Sequence, residues 1–362
     1  MSLKKIAEMT GTSVATVSRV LNHPEHRCNK DGLAEKIWEA AASLQYIPNT
    51  TARNLRLGSP TTTQPFVVDI FLTRFDSMEE DSFFLELFQY IQAELIQCGC
   101  VLGDILHSVD ILNLGREHGS TNSIPYKTIP TMGNPNTVSS SIFVQPKKNT
   151  GLIILGKCPA GLIPILKKRY SYLTGIDRNP TDYEYDEVIC NGTTAAEKAV
   201  EYLISLGHKD IAYIGDCTYE SRYTGYYQTL LNHKLPLNHL HIHPTNQTQE
   251  EGYQIMTSII RQPIRPTAIF CANDSTALGV LAALKKHKKK GYLPSVISID
   301  NIRASEKTSP MLTTIDIPKK EMSHLALTLL LDRKNKQHKE NVRLELPCRL
   351  IERESCTFLY DR

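Results

Sequence analysis

Between Phe66 and Ile299 the chain alternates short β-branched runs with longer amphipathic ones, a pattern that confines it to parallel sheets with helices on both faces. Strand-like runs fall at residues 66–72, 101–106, 152–155, 172–175, 188–190, 211–214, 268–271 and 295–299. Helical patterns lie between them at 83–98, 193–206, 249–260 and 275–287. One sheet holding all these strands would be very large, and 362 residues exceed one ordinary core, so two lobes are expected. Ligands of such sheets bind beyond the carboxyl ends of the strands, and two facing lobes would enclose one between them.

The first sixty residues follow a different rule. Leu3, Ile6 and Ala7 share one face of a short helix that stops at Gly11; Ser13 then stands where an N-cap belongs. Val17, Val20 and Leu21 supply the buried stripe of a second helix ending near Asn22, and Leu33, Ile37, Ala41 and Leu44 a third, with Trp38 available to the same core. Two helices across a tight glycine turn form a helix-turn-helix, whose second helix enters the DNA major groove. Val14, Ala15 and Arg19 would then face base edges, the first two suiting a thymine methyl and Arg19 a guanine. Ser13, Thr16, Ser18 and Asn22 could hold phosphates and set register. The bland alternative is a helical hairpin in which Arg19 is merely solvated. Charge favours the head as a DNA-binding unit: residues 1–59 carry eight Lys/Arg against five Asp/Glu, and the remainder balances.

After Pro48, the stretch from Thr50 to Leu57 reads as one more helix with Asn49 as its cap, far shorter than the roughly 12 to 15 residues an isolated helix needs in water. Gly58 to Thr63 reads as a linker.

The run from Leu3 to Leu57, through IAEMTGTSVATVSRVLN, EAAASLQYIPN and ARNL, resembles the N-terminal signature of the lactose-repressor (LacI/GalR) family. The resemblance implies a homodimer on a pseudo-palindromic double-stranded operator, with Val14, Ala15 and Arg19 as recognition residues. It also implies that the segment capped by Asn49 is a hinge that becomes helical on DNA, with Leu55 wedged into the minor groove and Ala52 beside it. Sequence physics alone would make Leu55 an ordinary linker residue. Cys28 to Gly32 departs from the family's usual entry to the third helix.

The body is similar to the family's periplasmic-binding-protein-like effector domain through EEDSFFLELFQYIQ, GIDRNP, EKAVEYLISLGHKDIAYIG, RPTAIFCANDSTALGVLAAL and SVISIDN. The expected fold is an all-α helix-turn-helix head on an α/β, two-lobed body. Its expected bounds are a head at 1–48, hinge and linker at 49–64, a first lobe at 65–189 with 318–332, and a second at 190–317 with 333–362. The carry-over gives Asp177, Arg222, Asn273 and Asp300 as effector contacts, a set that suits the hydroxyls of a sugar because a buried polar ligand needs its hydrogen bonds answered. Each also has a local reading: Asn273 and Asp274 can cap a helix, and Asp177 and Asp300 can serve turns. EEDSFF and GIDRNP look closest to the branch of the evolved β-galactosidase repressor, pointing to a galactoside or related saccharide. Two departures stand out: residues 118–146 hold a single charged residue, Lys127, and read as a long loop, while Ser298-Ile299-Asp300-Asn301 keeps one carboxylate where the family often has two.

Other chemistries find little support. Nine cysteines without a CxxC pair read as reduced thiols, not as a disulfide framework or a thiolate zinc site. His239, His241 and His243 would share one face of a strand, yet no acidic or cysteine ligand stands nearby in sequence, so no metal is expected. Lys285 to Lys290 read as a solvated helix end. No phosphate loop, HExxH or GxSxG occurs; no enzyme activity and no cofactor are expected. No apolar run of about 18 residues and no secretory signal is apparent, which predicts a cytoplasmic protein with no membrane partner. The competing readings are a solute (sugar) binding protein without DNA-dependent regulation and an enzyme on the same scaffold.

Overall fold

A computed structural model describes residues 3–22, 33, 36, 37, 40, 65–73, 82–107, 147–177, 179–218, 220–287 and 291–359. The head opens with α1 (Leu3–Thr10) and α2 (Val14–Asn22). Gly11, at φ +63°, makes the left-handed turn between them that a side chain would resist. Ser13 Oγ accepts from the Thr16 backbone N–H at 3.1 Å, the cap read from sequence. Ile6, Ala7, Val17, Val20 and Leu21 pack with Ile37 and Ala40 into a core of the head's own, and Leu33 leans on it. Trp38, Ala41 and Leu44 lie outside the described residues.

The body is built from two six-stranded sheets. The first holds β1 (Val67–Leu72), β2 (Val101–His107), β3 (Lys147–Leu155), β4 (Tyr170–Asp177), β5 (Asp186–Ile189) and β11 (Arg343–Glu345), in the order β11-β5-β4-β3-β1-β2, every pairing parallel. The second holds β6 (Ile211–Gly215), β7 (Ile242–Pro244), β8 (Ala268–Cys271), β9 (Ser295–Asp300), β10 (Thr313–Asp316) and β12 (Arg349–Ile351), in the order β12-β10-β9-β8-β6-β7. Only β12 runs antiparallel to its neighbour there. All eight runs read as strands are strands, and near-continuous burial along β5, β6, β8 and β9 is what a sheet covered on both faces demands. The four strands that periodicity missed, β7, β10, β11 and β12, are three or four residues long.

Helices α3 (Ser82–Gln97), α4 (Ile163–Arg169), α5 (Gly192–Ser205), α6 (Ser221–Asn232), α7 (Gln249–Ile259), α8 (Asp274–Lys286) and α9 (Lys319–Lys334) cover the sheets. Leu87, Ile91, Ala326 and Leu330 seal α3 and α9 into the main core.

The expected boundary at residue 333 needs correction. β11 joins the first sheet, with Leu344 opposite Val188, and Arg343 Nε reaches Glu187 at 2.6 Å. Arg333, at the end of α9, grips the buried Asp186 through both carboxylate oxygens at 2.5 and 2.7 Å. These bonds hold the segment up to Glu345 on the first lobe, and the chain crosses to the second only between Glu345 and Arg349.

The histidine trio is also arranged differently from the expected strand. His239–His241 form a 3-10 turn and only Ile242–Pro244 extend, so the three imidazoles do not share a strand face. His241 Nδ1 meets Asp210 at 2.7 Å and His243 is half-buried, its pKa lowered by burial. Among the described residues no cluster of three metal-ligating groups occurs, and no helix is long and apolar enough to cross a membrane. The low-charge stretch 118–146 lies outside the described residues.

Candidate DNA-reading helix and effector cleft

On α2 the buried and exposed faces separate cleanly. Val17, Val20 and Leu21 are buried, whereas Val14, Ala15 and Arg19 stand exposed on the other side and Thr16 and Ser18 lie between. Val14 keeps 43% of its surface in water, an unusual place for a β-branched apolar side chain unless something is to cover it. The Ser13 and Thr16 hydroxyls meet at 2.8 Å, so one hydroxyl proton is spent between them and the other remains to donate. Asn49, Ala52 and Leu55 lie outside the described residues, and the Asn22 side chain is not described.

The four residues expected at the effector site all stand at carboxyl ends of strands or in the turns that follow. Asp177 closes β4, Asp300 closes β9, Asn273 lies two residues beyond β8, and Arg222 opens α6 after β6. Two of them are joined through a residue the sequence reading missed. Arg222 Nη2 donates to Gln247 Oε1 at 3.0 Å, and Asn273 Nδ2 donates to the Gln247 carbonyl at 3.1 Å. Asp300 is close enough for its charge to act on Arg222. Asp177 belongs to the opposite lobe and lines a cavity of about 380 Å³ with Lys157, Cys158, Lys167, Tyr185 and Glu187; Arg222, Asn273 and Asp300 do not reach that cavity. The lobes are nevertheless tied beside it, because Asn179 Oδ1 accepts from the Ser221 N–H at 3.1 Å.

Arg222 is almost wholly buried, and Glu220 is its counter-charge. Nε donates to Oε1 and Nη2 to Oε2, both at 2.9 Å, and Nη1 donates to the Ala272 carbonyl at 2.7 Å. Burial works against the charged guanidinium, but the Glu220 carboxylate overcomes it and holds the Arg222 pKa above its ordinary value. Glu220 is also the N-cap of α6, accepting from the Arg222 N–H at 3.3 Å. An acid at the cap position two residues ahead of the arginine was the available signal for it.

Asn273 performs the capping role open to it, its Oδ1 accepting from Thr276 N–H at 3.0 Å. Asp274 is buried beneath the cleft, where Ser298, Thr314 and the Ile302 N–H donate to it at 2.5, 2.6 and 2.9 Å. Burial and the charge of Asp300 outweigh those donors and push its carboxyl up to about 7. Gln247, Asp300 and Asn301 have φ of +66°, +132° and +48°; strain of this kind gathers where a side chain must be aimed. Lys319 holds the bend, donating to the Asp300 and Asn301 carbonyls at 2.6 and 3.1 Å. Glu86 on α3 meets Lys319 on the same lobe at 3.4 Å and, across the lobes, accepts from the Arg303 N–H at 2.7 Å.

A head of this geometry joined to a two-lobed body defines a DNA-binding regulator with a ligand-binding domain. Comparison with known proteins makes the class specific. Residues 2–49 match the bacterial regulatory proteins of the lacI family, and residues 200–356 match the periplasmic binding protein-like domain. The chain thus carries a lacI-family helix-turn-helix domain followed by a periplasmic-binding-protein-like domain. A curated relative, the probable HTH-type transcriptional repressor ExuR of Bacillus subtilis (strain 168), is 27% identical over 338 residues, 91% of each chain. Among solved structures, a transcriptional regulator CelR–cellobiose complex has a TM-score of 0.64 at 19% identity, covering 98% of this chain and 100% of the other. The lac repressor dimer bound to operator and the anti-inducer ONPF has a TM-score of 0.61 at 20% identity, covering 99% of each. At these identities the structural matches establish the shared fold.

Proposed function

We propose that this chain is a sequence-specific transcriptional repressor of the cytoplasm, binding a pseudo-palindromic operator as a homodimer and released from it by a saccharide, with no catalysis of its own. The observation that carries this reading is the joining in one chain of an exposed reading face on α2 to a two-lobed body whose lobes meet at Asn179 and Ser221, next to the Arg222–Gln247 hydrogen bond. Val14, Ala15 and Arg19 read bases; Ser13, Thr16, Ser18 and Asn22 hold phosphates. Asn49, Ala52 and Leu55 form the hinge within residues 49–64, between a head at 1–48 and the two lobes. Asp177, Arg222, Asn273 and Asp300 contact the effector. The name of the ExuR relative supports repression, and the cellobiose and operator bound in the two solved neighbours support the ligand class and the DNA partner.

The switch follows from linkage. An effector that favours the lobe arrangement in which the two heads are wrongly spaced lowers operator affinity, and operator lowers effector affinity by the same factor. Selection of a randomised duplex pool on the full-length protein at physiological salt is expected to enrich an inverted repeat. A pool that stays random, with equal binding to bulk DNA, would overturn the proposal.

A further inference from the structure

We infer that the cleft admits an uncharged polyhydroxylated effector and rejects its anionic counterparts, and that Glu220 is the residue that imposes this choice. The inference rests on the reading of the cleft as an effector site and adds the charge class of what enters it.

An anionic ligand, whether a uronate or a sugar phosphate, would seek two features here: the N–H groups at the start of α6 and the forked guanidinium of Arg222. Glu220 occupies the fork and one of those N–H groups. Its Oε1 accepts from the Arg222 N–H at 3.3 Å and lies 3.5 Å from the Ser221 hydroxyl, while the two carboxylate oxygens take the Nε and Nη2 donors in the bidentate geometry a ligand carboxylate would adopt. Of the five guanidinium N–H donors, Gln247 and Ala272 take two more, leaving a single Nη1 hydrogen. One donor from a neutralised pair serves a hydroxyl and gives poor purchase to an anion.

The carboxylates acting on Arg222, Glu220 and Asp300, work in the same direction. Lys319, the other buried cation of the region, is set against Glu86. Asp300 and Asp316 close the neighbouring strands β9 and β10, and Asp177 closes β4 on the opposite lobe. The raised carboxyl of Asp274, caused first by burial and then by Asp300, agrees with a neighbourhood unfavourable to further negative charge. Carboxylates accept from sugar hydroxyls without penalty, but repel a second anion at short range in a medium less polarisable than water.

The test uses full-length protein in thermal-shift and calorimetric titrations at constant ionic strength. Glucose, galactose, cellobiose and lactose are set against glucuronate, galacturonate and glucose 6-phosphate. At least one neutral sugar is expected to raise Tm, and its charged derivatives to bind at least tenfold more weakly. A uronate or sugar phosphate binding more tightly than its neutral parent overturns the charge rule and leaves the saccharide reading in place. Silence from every sugar overturns the saccharide reading, and inorganic phosphate then decides the charge rule. Glu220→Gln, with its arginine unopposed, should gain a phosphate-dependent rise in Tm that wild type lacks; a wild-type response equal to the variant's overturns the rule. Should Glu220→Gln fail to fold, Gln247→Ala, which frees an Arg222 donor but keeps Glu220, should remain unresponsive to phosphate; a gained response assigns the exclusion to donor supply and overturns the role of Glu220.

Discussion

Arg19 in the head and Arg222 in the body show opposite ways of deploying the same side chain. Arg19 stands exposed on a nine-residue helix, beside the uncovered Val14 and Ala15. Arg222 is buried, with four of its donors taken by Glu220, Gln247 and Ala272. A guanidinium in water keeps its fork for an incoming polyanion, at the cost of ordering a long side chain on binding. A guanidinium locked to a carboxylate has already been ordered and neutralised, and contributes shape and a single directed hydrogen. The head is thus built to meet charge and the cleft to be indifferent or hostile to it.

The strongest way to break this contrast is Arg222→Ala. Removing the cation strands Glu220 in the interior, with an expected loss of about 3 to 5 kcal/mol in denaturant unfolding. Pairing the change with Glu220→Gln should recover part of that loss while effector response stays absent; a single variant as stable as wild type would mean that the pair is not buried in solution. Next in size is Arg19→Ala, expected to weaken operator binding by about 1 to 3 kcal/mol and to relax discrimination at one base pair, with Tm unchanged. Equal losses on operator and random DNA would reduce Arg19 to a phosphate contact.

Asp274 sharpens the comparison through pH. Its carboxyl is raised to about 7 in the folded protein, from 3.8 as an ordinary aspartate. The folded state therefore holds the extra proton between those values. The stability this contributes is complete below the lower pKa and is lost as pH rises through the upper one, with a slope of at most about 1.4 kcal/mol per pH unit. The difference between the wild-type and Asp274→Asn stability curves should fall over pH 5 to 7; a flat difference would show the carboxyl ionised throughout. The smallest effect belongs to Ser13→Ala, which removes the α2 cap and should cost about 1 kcal/mol in the head. Urea melts followed by Trp38 fluorescence, which reports on the head because it is the sole tryptophan, would detect it.

What the sequence disclosed and what it concealed divide along a physical line. The head is written in local rules: Gly11 permits one backbone conformation, Ser13 caps from three residues away, and Val17, Val20 and Leu21 obey a single period. The long strands are equally legible, because a parallel strand covered on both faces must be apolar throughout. The short strand β11 was missed because Arg343 and Glu345 flank a single Leu344, and its place in the first sheet is fixed by a partner more than 150 residues away. The cleft behaves similarly. Resemblance supplied Asp177, Arg222, Asn273 and Asp300, yet the residues that decide what these can do, Glu220, Gln247, Lys319 and Glu86, act through bonds between distant elements. Gln247 sits in a turn at φ +66°, a position where its residue type gives no warning.

The claim on which the account depends is that the cleft governs the head. Its most direct test is the affinity of the full-length protein for its selected inverted repeat, measured with and without a saturating neutral sugar found by thermal shift, together with the affinity for that sugar with and without the repeat. The account predicts that sugar weakens DNA binding and that DNA weakens sugar binding by the same factor. Affinities that ignore each other in both directions would contradict it.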